Sequence, residues 1–230
     1  MKIIAHRCGT DAFPQQTIHG ARYSLAQGTD LVEVDIRFTS DNIPVVIHDA
    51  TPLSLYGVET PVCEMTAQEF LALRRTDDAA FCGHSFKDYL DCGIEDMLFH
   101  IKEGGEKLNT VLDMCREYDI LDKVVFGVTA VEDVKIVKAY NKDIKVLGFM
   151  PKAESTADFA EAGADYIRLW QKWLTEENIK AVHASGKKLW IMAKSTDVGE
   201  VVDGDYQLYE SAGADGVLVN QIVPAIAYYK

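Results

Sequence analysis

Two carboxylates stand inside a short apolar run, Leu31 to Arg37, "LVEVDIR". The run is β-branched and apolar, which predicts a strand, and in a strand residues i and i+2 share a face. Glu33 and Asp35 therefore point the same way, where two buried like charges repel and are costly to desolvate. A cation between them offsets that cost, and carboxylate oxygens suit a hard ion such as Mg²⁺ or Ca²⁺. Other ionisable residues close the neighbouring apolar runs: His6 and Arg7 after "KIIA", His48 in "IPVVIHDA", His100 and Lys102 in "LFHIK". Two imidazoles can serve as general base and general acid near neutral pH. Arg7 offers a bidentate fork for phosphate and Lys102 a point charge. A cation, Arg7, Lys102, His6 and His48 together describe hydrolysis of a phosphoryl ester, because the positive groups stabilise charge developing on the non-bridging oxygens. The simpler alternative is a structural charge cluster, with Glu33 and Asp35 answered by Arg7 and Arg37.

These residues can meet only if several strands bring them to one rim. Apolar runs alternate with helical periodicity, and predict strands at 2–6, 31–37, 96–102, 123–128, 144–149, 165–169, 188–192 and 215–219. Helices are expected near 16–27, 66–74, 106–118, 131–141, 155–162, 175–185, 199–212 and 221–229. "AQGTDLVEV", "EAGADYIRL" and "SAGADGVLV" share Gly, a spacer, Asp and then an apolar strand. The Gly ends a helix in the left-handed conformation and a tight turn follows. Eight strands with intervening helices predict a (β/α)8 TIM barrel, with a doubly wound open sheet as the runner-up. In such barrels catalytic groups sit at the C-terminal strand ends. Here the ionic strand ends belong to the first three strands, so the charge gathers on one side of the mouth.

At 230 residues and 48% hydrophobic, the chain suits one domain over 1–230, with an insertion at about 50–95. Five cysteines without a CxxC pair predict reduced thiols in a cytoplasmic protein. The start "MKIIAHRCGT" lacks the apolar region of a signal peptide, and no apolar run suffices for a membrane span, so stable membrane insertion is not expected. A net charge of −13 argues against non-specific nucleic-acid binding. An anionic small-molecule substrate would then need local positive charge. The sequence does not fix an oligomeric state.

The same residues resemble the glycerophosphodiester phosphodiesterase family, in the order "IIAHRCG", "FPQQT", "VEVDI" and "IPVVIHDAT" over residues 3–51. Weaker similarity continues through "LFHIK", "VVFGV" and "ADGVLVN". The resemblance implies a (β/α)8 barrel with a small insertion after the second strand. It also implies metal-dependent hydrolysis of glycerophosphodiesters, or a related small phosphodiester, to glycerol 3-phosphate and an alcohol, within lipid and glycerol metabolism. His6 and His48 match the family's acid–base histidines, Arg7 its phosphate contact, Glu33 and Asp35 two metal ligands, and Lys102 a basic residue after the third strand. His100 stands where the family has a third ligand, Glu. The resemblance implies Mg²⁺ or Ca²⁺, whereas a neutral, softer imidazole tilts the site towards Mn²⁺ or Zn²⁺. Gln15 and Gln16 replace the acid and amide of Pro-Glu-Asn-Thr, and Asn220 follows the last strand in place of a usual Asp. By the same alignment Met192 replaces a Trp, and Trp190 is expected to face elsewhere.

An alternative is a phosphodiester-binding barrel with weak or lost catalysis, because of His100. An aldolase or isomerase barrel is less well supported, lacking a lysine placed for Schiff-base chemistry. His19 and His183 are expected at the surface, His84 away from the mouth, and Trp170 and Trp173 either against substrate or over the core.

Overall fold

The computed structural model describes residues 1–230. Its barrel wall is made of β1 (Lys2–Ala5), β2 (Leu31–Phe38), β5 (Met97–Ile101), β6 (Val125–Val128), β7 (Lys145–Gly148), β8 (Tyr166–Trp170), β9 (Lys188–Met192) and β10 (Gly216–Val219). All eight pair in parallel, and β1 closes the circle by pairing with β10 on one side and β2 on the other. Outside lie α1 (Ile18–Gln27), α5 (Lys107–Glu117), α6 (Val131–Tyr140), α7 (Thr156–Glu161), α8 (Glu176–Ala184), α9 (Asp205–Ser211) and α10 (Ile222–Tyr229). The (β/α)8 barrel expected from the alternating pattern is the fold.

β2 outlasts the barrel. Its last residues, Ile36 to Phe38, pair antiparallel with β3 (Pro44–Val46), which pairs in turn with β4 (His84–Ser85). The short helices α2 (Leu53–Tyr56), α3 (Ala67–Ala72) and α4 (Phe86–Asp91) complete this extension. Reading the sequence missed α2 and α4. The second had a legible start, since Ser85 and Asp88 form a reciprocal capping box. The helix expected from 199 begins only at Asp205. Gly199 and Gly204 hold φ of 85° and 95°, and Asp205 accepts the Val202 N–H, so the preceding segment is a loop.

Alternation divides each strand between two cores. Outward residues meet the helices in one large apolar cluster. Inward residues form a smaller plug that includes Ile4, Leu31, Leu98, Leu147, Trp190 and Leu218. Trp190, expected to face elsewhere, is fully buried in this plug, as is Met192. Their i, i+2 spacing gives one face, and the indole fits because β10 offers Gly216 beside it, where a Cβ would lie 3.0 Å from the ring.

The recurring Gly-x-Asp has a second role beyond its turn. Asp30, Asp165 and Asp215 each accept a backbone N–H from the neighbouring strand at 2.9 Å, from Ile3, Val146 and Leu189 respectively. Each Asp returns its own N–H to the carbonyl of that same residue. The three acids thus latch staggered strand starts, while Gly28, Gly163 and Gly213 supply the left-handed helix stops before them. Asp165 also pairs with Lys138 at 2.7 Å and Lys145 at 3.4 Å.

Burial alone would raise the Asp165 pKa, but the Lys138 ammonium and the Val146 amide outweigh it and leave the carboxyl below its usual value. A depressed acid contributes stability above its unfolded pKa, and that contribution is lost as pH falls through the folded value. Asp165→Ala should therefore cost about 1–2 kcal/mol at pH 7. In denaturant melts the gap from the unaltered chain should shrink once pH falls below about 4, the ordinary Asp range. A gap that is constant with pH would contradict the latch as an ionic device.

Candidate active site

The mouth side chains are placed by three strands and the turns that follow them. β1 ends in a tight turn, His6 to Gly9, in which Arg7 and Cys8 hold left-handed φ of 50° and 72°. Gln16 does the same at 59°. Such angles are strained for side chains with a Cβ and persist only where the surroundings enforce them. The enforcing contacts are visible. Arg7 donates its backbone N–H to Glu33 Oε2 at 2.8 Å, and the Cys8 thiol reaches the Glu33 carbonyl at 3.6 Å. Gln16 donates Nε2–H to Asp35 Oδ2 at 2.5 Å.

Glu33 and Asp35 are fully buried on the inward face of β2. Burial pushes both pKa values up, and at Glu33 the Asp35 charge adds to it, yet neighbouring imidazoles and the Lys102 ammonium reverse this. His6 and His100 bring Glu33 below its ordinary value, and Lys102 with His100 holds Asp35 well below its own. Lys102 Nζ lies 2.7 Å from Asp35 Oδ1 and 2.9 Å from His100 Nδ1. His100 Nδ1 is 3.2 Å from Glu33 Oε1 and 3.0 Å from Asp35 Oδ1. Its ring stacks on Phe149 at 3.7 Å and 8°. Room for Phe149 comes from Gly127 on β6, where a Cβ would overlap its ring.

The two other histidines are each anchored through Nδ1. His6 Nδ1 is 2.6 Å from Asn220 Oδ1. Asn220 spends its NH₂ on the Val198 carbonyl and Glu200, so the oxygen faces His6, which carries its hydrogen on Nδ1. His48 Nδ1 is 2.7 Å from Asp49 Oδ1. Both Nε2 atoms remain for chemistry, and His6 Nε2 stands 3.9 Å from Glu33 Oε2. Burial lowers the pKa of both rings, opposed by Glu33 at His6 and by Asp35 at His48, which favours neutral imidazoles. Arg37 does not answer the acids of its own strand. It donates Nε–H to the His48 carbonyl at 2.9 Å and pairs with Glu103, bracing the loop that carries His48.

The fold therefore brings His6, Glu33, Asp35 and His100 into contact, with Arg7, His48 and Lys102 beside them. Arg7 gives Nη1–H to Gln15 at 2.9 Å, and its buried Nε meets no acceptor. A cleft of about 200 Å³ opens here, lined by His6, Arg7, Gln15 and Asn220 among others. A larger one, about 680 Å³, lies between the 199–207 segment and α10, lined by Tyr206, Pro224 and Tyr228 and no histidine or basic residue. Chemistry, not volume, marks the site. Asn220, Asp49, Gln16 and Phe149 had no role assigned from sequence. Asn220 and Asp49 could have been found from their positions, one after the last strand and the other adjoining His48. His19 and His183 are exposed, and His84 sits in β4 opposite Val46.

Glu33, Asp35 and His100 could hold a divalent metal ion. Their ligand atoms lie within 4.8 Å of one another. Asp35 Oδ1, buried, has an ion-pair neighbour but no well-formed hydrogen bond. His100 Nδ1 faces two carboxylates and an ammonium together. With a hydrogen it crowds the ammonium, and without one its lone pair confronts the carboxylates, so neither tautomer satisfies all three. A cation among the three ligands would resolve the conflict. Two carboxylates and one imidazole form a mixed hard and borderline donor set.

The family model described as "Glycerophosphoryl diester phosphodiesterase family" matches residues 6–223. Glycerophosphodiester phosphodiesterase 1 of Homo sapiens is 36% identical over 77 residues, 34% of this chain and 22% of that protein. A glycerophosphodiester phosphodiesterase of Caldanaerobacter subterraneus is 27% identical over 155 residues, 63% of this chain and 56% of that one. The matched part thus spans less than two thirds of either relative. Crystal structures of glycerophosphodiester phosphodiesterases from Agrobacterium tumefaciens and Parabacteroides distasonis superpose with TM-scores of 0.77 each. Both are 18% identical, and the superpositions cover 96% of this chain and 96% of that one, and 99% and 95%, respectively. At that identity they establish the shared barrel. With the family match running over all but the first five and last seven residues, the chain belongs to the glycerophosphoryl diester phosphodiesterase family.

Proposed function

We propose that the chain is a phosphoric diester hydrolase that cleaves glycerophosphodiesters, or a related small phosphodiester, to glycerol 3-phosphate and an alcohol with the help of one divalent metal. The observation that carries this reading is the pair of imidazoles, each held through Nδ1 by an amide or carboxylate, beside two buried acids. Glu33, Asp35 and His100 would hold the metal, which supplies Lewis-acid stabilisation of the phosphate oxygens when bound. Arg7 contributes a guanidinium and Lys102 an ammonium to the same anion. His6 and His48 share the proton transfers through Nε2. One takes the proton of the oxygen attacking phosphorus, and the other delivers a proton to the departing alcohol oxygen. Asn220 and Asp49 keep the rings turned for this work, and Asp49 stabilises the imidazolium that forms on His48.

The donor set favours Mn²⁺ or Zn²⁺ relative to the all-carboxylate arrangement, since imidazole is neutral and softer than Glu. A second reading, a phosphodiester-binding barrel with weak turnover, is favoured by Lys102 Nζ, whose 2.7 Å contact with Asp35 sets an internal cation among the ligands. A soluble small molecule is the expected partner, and no helix is long and apolar enough to cross a membrane.

Turnover of bis(p-nitrophenyl) phosphate and of several glycerophosphodiesters, assayed across Mg²⁺, Ca²⁺, Mn²⁺ and Zn²⁺, separates the two readings. His6→Ala and His48→Ala should each lower kcat by about 10²- to 10⁴-fold. If no metal raises the unaltered chain above these variants, the hydrolase reading falls and binding remains. Titration calorimetry addresses the ligand set. His100→Glu should tighten Mg²⁺ binding by about tenfold or more, because a carboxylate adds charge and hardness. An unchanged Mg²⁺ affinity would remove His100 from the ligands.

A further inference from the structure

β8 turns Arg168 inward beside Phe149, where the Glu33 charge reaches it. The residue is 5% exposed, and its guanidinium stands among three aromatic rings. The centroids of Trp170, Phe149 and Trp173 lie 4.4, 5.4 and 5.5 Å from its central carbon. Nη2 reaches only the Met150 carbonyl, at 3.5 Å, just past the end of β7. Nε and Nη1 are buried and meet no acceptor, and Arg168 forms no ion pair. Burial pulls its pKa down to about 9, with Glu33 opposing, so it is still a cation at neutral pH. Idle N–H groups on a buried cation are expensive unless something accepts from them or they serve another purpose.

Phe149 links this cation to the reactive centre. Its ring stacks on His100 at 3.7 Å and also lies against the Arg168 guanidinium. A single aromatic ring thus separates the Arg168 guanidinium from His100. Three rings around a cation is also the arrangement that receives a quaternary ammonium. Here the chain's own guanidinium fills that cage, and Lys194 Nζ adds a second cation 5.6 Å from the Trp170 ring. A cationic headgroup would meet like charge where it would otherwise find aromatic faces. The glycerol moiety is neutral, so discrimination by charge falls on the other alcohol.

We propose that Arg168 is a specificity-determining residue, selecting phosphodiesters whose second alcohol carries an anionic group such as a carboxylate and disfavouring choline-type esters. This rests on the hydrolase reading above. The guanidinium supplies a positive charge and a fork suited to carboxylate, and its Nε–H and Nη1–H are not committed to any partner within the chain. An arginine that merely braced the aromatic rings would leave the ranking of substrates by charge untouched.

The test compares kcat/KM for glycerophosphocholine, glycerophosphoglycerol and glycerophosphoglycolate, whose second alcohols are cationic, neutral and anionic. The unaltered chain should prefer the glycolate ester to the choline ester by about tenfold or more, a modest demand on one like-charge contact. Arg168→Met should reduce that ratio by about the same factor, and Arg168→Lys should retain the order. Each ratio is referred to the neutral ester on the same variant. A choline ester equal to or better than the glycolate ester in the unaltered chain overturns the inference without any variant. So does a ratio unmoved in a folded Arg168→Met. Absence of turnover with all three esters would instead overturn the hydrolase reading, and this inference with it.

Discussion

Burying Glu33 and Asp35 side by side is the constraint on which the rest of the mouth depends. Neither acid is exposed, and the Asp35 charge raises the cost of ionising Glu33. What keeps both charged comes from several parts of the chain: the Arg7 amide, the Gln16 side chain, His6, His100 and Lys102. The left-handed angles at Arg7 and Gln16 accompany it, because these residues bend inward to bring donors to the acids. Removing one donor would expose the deficit of the remainder. The site is therefore a single electrostatic unit, not a set of independent residues.

The eight barrel strands and most helices were legible because apolar periodicity and glycine stops fix them locally. The ring of ionisable strand ends was legible too, since a charge inside an apolar strand needs a reason. Other features were not. α9 begins at Asp205 because two glycines at positive φ hold a loop that helical periodicity alone cannot reveal. Trp190 faces inward because Gly216, in a different strand, leaves space for it. The Asp latches looked like turn residues, because their partners lie in neighbouring strands. Asn220 meets His6 across 214 positions, a pairing no local pattern encodes.

His100 joins several interactions in one side chain. It meets both carboxylates, touches the Lys102 amine and lies flat on Phe149. A carboxylate at this position could not stack in the same way. The aromatic face of Phe149 thus joins the Glu33, Asp35 and His100 cluster to the Arg168 guanidinium. The polar and aromatic sides of the mouth meet at one ring.

The Asp latches sit where strands begin, and the ionisable groups of the mouth lie further along them or in the turns that follow. Along β2 the Asp30 latch stands about 10 Å from Glu33 and about 16 Å from Asp35, at or beyond the distance over which exposed charges sense each other in ordinary salt. Cohesion of the wall and composition of the mouth are thereby decoupled. The acids and bases of the mouth depend on one another, while the anchoring of the strand starts depends only on the Asp latches and the strands beside them. In such a scaffold the strand starts are held by one kind of contact and the mouth by another.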